Sequence, residues 1–189
     1  ISNAPDWFFK SIESQVKKKK IAMADHAISY QTWGNKKHKN ILFFIHGTGA
    51  HMRWWDPIAP QFSKDSYVIA IDLPGMGDST HRENYSFASF AEAIIDILNH
   101  EKLLELDKSI IFVGHSLGGH VAGFVASEHP KIVDYLVMID TPIRPPDYDY
   151  AKHKSTGPLR MIKYYKDKES IINRFRLMPA QECENDWYL

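Results

Sequence analysis

Four short, unbroken apolar runs constrain this chain more than any other feature: Ile41–Ile45 (ILFFI), Tyr67–Ile71 (YVIAI), Ile110–Val113 (IIFV) and Tyr135–Ile139 (YLVMI). A strand with one wet face would alternate apolar and polar residues. Runs without alternation read instead as strands covered on both faces, the condition of a parallel sheet. Helical patterns separate them. The segment from Phe87 to Leu104 places Phe90, Ala91, Ile94, Ile95, Ile97 and Leu98 on one broad face, leaving Glu92, Asp96 and Glu101 to solvent. His120 to His129 is small and apolar at helical spacing and is closed by Pro130. Strands alternating with helices predict an α/β fold: a mostly parallel sheet with flanking helices and right-handed crossovers.

Ahead of this core, a helix is expected from Pro5 to about Lys19, anchored by Trp7, Phe8 and Ile12, with the run Lys17-Lys18-Lys19-Lys20 as its solvated end. Ile21–Ala24 and Ile28–Trp33 read as two short strands turning at Asp25-His26. The 189 residues suit one domain with a sizeable core.

In parallel sheets function gathers where the strands end. His46, Asp72, Ser116 and Asp140 all fall at or just past the ends of the apolar runs. Ser116 is the most informative. The stretch Gly114-His115-Ser116-Leu117-Gly118-Gly119 fits G-x-S-x-G, with a strand before it and a helix after it. So tight a junction forces a strained backbone on the serine, and glycines two residues away on each side remove Cβ atoms that would clash. The hydroxyl is then raised at a helix N-terminus, where developing negative charge is favoured. Ser116 could instead serve only as a helix N-cap; the length of the match and its flanks favour a nucleophile.

On these residues the chain resembles the α/β-hydrolase superfamily over roughly 21–141, as a serine esterase-like member with a lid after the sixth strand. His46-Gly47-Thr48-Gly49 looks like the family's oxyanion loop, and Asp72-Leu73-Pro74-Gly75-Met76-Gly77-Asp78-Ser79 like its D-x-P-G-x-G-x-S turn. The resemblance implies an oxyanion hole made by the N–H groups of Thr48 and Leu117. It makes His46 a loop-ordering residue and the Asp72 turn structural. Trp54 and Trp55 could line a pocket wall or pack against the sheet. Asp140 is the candidate triad acid, against a purely structural aspartate bonding nearby loop N–H groups. The chain has ten histidines, but none follows a further strand, where the family's base belongs. His153, in a polar loop, is the nearest substitute. The expectation is therefore a chain truncated at its C-terminus, with core 1–141, a lid segment 142–189, and the base histidine beyond Leu189. The lid would carry one or two helices from Gly157 to about Leu177 with a basic face.

The implied function is a serine hydrolase cleaving a carboxylic ester or thioester through an acyl-enzyme on Ser116, with no cofactor and no metal. Rivals are a carbon–carbon bond or lactone hydrolase on the same site, and a ligand-binding protein without catalysis. The expected partner is a small-molecule acyl ester or thioester. Balanced charge, 23 basic against 23 acidic residues, argues against nucleic acid. No run reaches the roughly 18 apolar residues of a membrane span, and no signal peptide is visible. One cysteine, Cys183, cannot make an intrachain disulfide, and a cytoplasmic location is expected.

Overall fold

The computed structural model describes residues 4–23, 26–105, 107–147, 166–167 and 169–170. The chain divides into two compact units, Trp7–Pro142 and Ile1–Asp6 with Ile143–Leu189. In the second, the Asp167 carboxylate accepts hydrogen bonds from the N–H and hydroxyl of Ser170, 2.8 and 2.7 Å. Of the expected lid helices only 166–167 and 169–170 are described, and His153 and Cys183 lie outside the described residues.

The Trp7–Pro142 unit is built on a six-stranded sheet. Its strands are β1 (Lys17–Ala22), β2 (Ala27–Trp33), β3 (Asn40–Ile45), β4 (Ser66–Ile71), β5 (Ser109–His115) and β6 (Tyr135–Ile139), in the order β1-β2-β4-β3-β5-β6. β1 and β2 run antiparallel, as does β2 with β4; β4, β3, β5 and β6 are mutually parallel. All four apolar runs are thus parallel strands. Alternate residues divide their burial. Ile41, Phe43, Ile45, Ile69, Ile110 and Phe112 pack beneath helices α2 (Phe87–His100) and α3 (Leu117–Glu128). Phe44, Val68, Ala70 and Val113 pack on the other face under two short 3₁₀ turns, Met52–Trp55 and Ala59–Phe62. That second covering thins toward β6, where Tyr135, Val137 and Ile139 are exposed.

Two expectations at the N-terminus are corrected. The first helix, α1, spans only Asp6–Ile12, and Lys17–Lys20 belongs to edge strand β1, paired with β2 from Lys17 opposite Thr32. A long-range partner decides this. Lys19 Nζ reaches the buried Glu101 carboxylate at 2.6 Å, and the Tyr30 and Tyr67 hydroxyls donate to the same group at 2.6 and 3.1 Å. Lys36 completes the cluster as an ion pair. Burial alone would raise the Glu101 pKa; the hydrogen bonds from Lys19, Lys36 and Tyr30 outweigh it and hold the carboxyl at about 2. Exposed lysines also blunt an open sheet edge.

The same glutamate shortens the expected Phe87–Leu104 helix. α2 begins at a reciprocal Ser86–Ser89 capping box and stops at His100. Lys102 takes φ 54°, and the Leu103 N–H returns to the Leu98 carbonyl at 2.9 Å, closing the helix and turning Glu101 inward.

Candidate active site

His46, Asp72, Ser116 and Asp140 each directly follow one of the four parallel strands, so the sheet brings them to one edge. Ser116 lies between β5 and α3 at φ 51°, ψ −114°, a strained region for a residue with a side chain. Its hydroxyl makes no cap hydrogen bond to α3. The backbone is what holds it: the Ser116 N–H donates to Ile139 O at 2.9 Å, and its carbonyl accepts from Gly119 N–H at 3.0 Å and the Thr141 hydroxyl at 3.2 Å. The serine is gripped by β6 and α3 while its hydroxyl makes no cap hydrogen bond to the helix it precedes. That arrangement suits a nucleophile and not a helix cap.

The flanking glycines are required by close approach. A Cβ on Gly118 would collide with the carbonyls of Ile45 and His46, and one on Gly114 with the backbone of Gly118. Their absence lets the first turn of α3, with Leu117, lie against the end of β3, where the His46-Gly47-Thr48 loop begins. Gly47 in turn touches the elbow: a Cβ there would stand 2.7 Å from His115 Nδ1. Thr48, the next residue, is exposed. The fold thus brings the Thr48 loop and Leu117 to the same side of the sheet edge as Ser116.

The loop is held from beneath. His46 is fully buried; its Nε2 accepts the Leu73 N–H at 3.0 Å, and Nδ1 lies 2.8 Å from the Gly47 carbonyl. Burial lowers its pKa, more than the Gly47 carbonyl and Asp72 raise it. Both ring nitrogens are thus engaged with backbone, which ties the loop to the Asp72 turn. Asp72, 1% exposed, accepts the Met52 N–H at 2.6 Å and the Asp78 N–H at 2.8 Å. The Asp72 carbonyl accepts the Ser79 hydroxyl at 2.6 Å. The D-x-P-G turn and the oxyanion-type loop are therefore one hydrogen-bonded unit, a link between residues 20 apart that nothing in the local sequence signals.

Trp54 and Trp55 part company. Trp55 is buried against Phe44, ring centroids 4.9 Å apart, whereas Trp54 is 48% exposed and stacks on His115 at 6.0 Å and 30°. His115 is the residue the sequence left without a task. It lies between Trp54 and Gly47, its buried Nδ1 has no hydrogen-bond partner among the described residues, and its Nε2 is 3.9 Å from Asp140 Oδ2. Asp140 takes φ 47° and its side chain is 87% exposed. Among the described residues no histidine hydrogen-bonds the Ser116 hydroxyl. His120 turns to the Pro142 carbonyl at 3.1 Å and to the Phe87 ring.

The model of the alpha/beta hydrolase family matches residues 42–187. The chain belongs to the alpha/beta hydrolase family. Among curated relatives, this hydrolase is 34% identical over 70% of its length to a Haemophilus influenzae protein provisionally named an esterase/lipase, covering 45% of that protein. It is 28% identical over 61% of its length to monoacylglycerol lipase ABHD6 of Mus musculus, covering 34% of that protein. Among solved structures, the thioesterase domain of the curacin biosynthetic pathway aligns with TM-score 0.62 and 27% identity, over 74% of this chain and 51% of that one. The hydrolase chain spans less than half the length of the curated relatives it matches. Among the described residues no helix is long and apolar enough to cross a membrane.

Proposed function

We propose that this α/β hydrolase cleaves a carboxylic ester or thioester through an acyl-enzyme on Ser116. The observation that carries the reading is the elbow itself: a serine in a strained backbone with its hydroxyl free of the helix it precedes. Strain of that kind persists only where the surrounding structure enforces it, and it collects at functional sites. Relatives named for esterase/lipase and monoacylglycerol lipase activity, and a thioesterase neighbour, support the acyl chemistry.

In this reading Ser116 Oγ attacks the carbonyl carbon and passes its proton to a base histidine, which Asp140 orients. The N–H groups of Thr48 and Leu117 receive the oxygen as it becomes negative. Collapse of the tetrahedral intermediate expels the alcohol or thiol, which takes the proton from the imidazolium. Water then repeats the attack and releases the acid. The substrate in this reading is a small-molecule acyl ester or thioester.

Intact mass after fluorophosphonate treatment tests this, with Ser116→Ala alongside. One adduct on the parent protein and none on the variant is expected, together with turnover of simple acyl esters. No adduct, or cleavage of a diketone without ester turnover, would defeat the reading.

A further inference from the structure

We propose that Trp54 determines substrate specificity: its indole is a fixed platform for an apolar chain or ring of the ester undergoing attack, a role that rests on the serine-hydrolase reading above. The 3₁₀ turn Met52–Trp55 is fastened at both ends. The Met52 N–H donates to the buried Asp72 carboxylate at 2.6 Å, and the Met52 and Trp55 side chains are 2% and 8% exposed. Trp54 cannot follow them into the core and stands on the outer side of the turn. A lone exposed tryptophan would need no explanation; its placement does. The indole stacks on His115, the residue immediately before Ser116, and His115 Nδ1 abuts Gly47, the residue immediately before Thr48. Trp54 therefore flanks the line from nucleophile to oxyanion loop.

One face of the ring is taken up by the imidazole, yet 48% of the residue remains open. The backbone fastening and the stack mean that little side-chain freedom is left to lose on binding, which favours affinity per contact. The chemistry of the platform is apolar. The neighbouring cation, Arg53, is engaged by Asp56 at 3.5 Å.

Selectivity of the full-length protein tests the role in two arms. The acyl arm compares kcat/KM for p-nitrophenyl octanoate and acetate. The leaving-group arm compares benzyl and ethyl acetate. Trp54→Ala should lower the large-to-small ratio about tenfold in the arm whose group lies on the indole, mainly through KM. Trp54→Phe, which keeps a flat apolar face, should hold most of the ratio, and Arg53→Ala should leave it unchanged. A ring that only stabilised the loop would depress kcat for all esters alike; ratios unchanged in both arms with Trp54→Ala would therefore overturn the role. Fluorophosphonate labelling separates the two levels. Labelled Ser116 with unchanged ratios defeats the Trp54 role alone, whereas an unlabelled Ser116 in the parent protein defeats the hydrolase reading and this role together.

Discussion

Replacing Ser116 by glycine should make this protein more stable while removing the proposed nucleophile. At φ 51°, ψ −114° the Ser116 Cβ is held in a region that costs on the order of 1–3 kcal/mol for a residue with a side chain. Glycine escapes that cost but adds roughly 0.4–1 kcal/mol of freedom to the unfolded chain. The net gain is about 1 kcal/mol. Ser116→Ala retains the Cβ and therefore the strain, and the hydroxyl it deletes makes no cap hydrogen bond. The two variants differ in one methyl group, so their difference reports the strain directly. Urea unfolding should place Ser116→Gly about 1 kcal/mol above Ser116→Ala, or roughly 2–4 °C higher in Tm for a domain of this size. Both should lose the fluorophosphonate adduct. A glycine variant no more stable than the alanine variant would refute the claim that the elbow stores strain, and with it the physical argument for Ser116 as a positioned nucleophile.

Two further outcomes follow from other residues. Glu101 leaves the ordinary carboxyl range for a pKa of about 2 in the fold, which is worth on the order of 3 kcal/mol. Solvent around its partly exposed lysine partners, Lys19 and Lys36, trims this to about 2 kcal/mol. A lowered pKa stabilises above pH 4.5 and loses that contribution as pH falls toward 2, so urea unfolding of Glu101→Gln against the parent should show a deficit at pH 7 that shrinks in acid. A deficit independent of pH would mean packing, not charge, is at work. Gly118→Ala would drive a methyl into the Ile45 and His46 carbonyls and should cost roughly 2–3 kcal/mol in urea unfolding, with slower labelling of Ser116. Unchanged labelling would show that the α3–β3 contact does not position the elbow.

Much of the fold was legible because burial on both faces leaves a local trace. Three of the apolar runs became parallel strands buried largely on both faces, the fourth became the parallel strand β6 with Tyr135, Val137 and Ile139 exposed, and the glycines around Ser116 announced a turn that backbone contact makes obligatory. The local chemistry of His46 and of the Asp72 turn was readable for the same reason: a short motif carries its own hydrogen-bonding demands. What failed involved partners distant in sequence. Lys17–Lys20 carries no apolar signal, and its strand exists because β2 lies beside it and Glu101, 82 residues from Lys19, offers that lysine a buried carboxylate. The length of α2 was misread because the residue that ends it, Glu101, is drawn toward that cluster.

By itself, then, the sequence determined the parallel α/β core and the identity of the elbow serine, since both rest on side-chain patterns within a few residues of one another. Only the tertiary structure decided which tryptophan enters the core and which stays exposed, and that His115 lies between Trp54, Gly47 and Asp140. Adjacent residues such as Trp54 and Trp55 carry identical chemistry. Their fates separate only when Asp72 fixes the turn that holds them against the sheet.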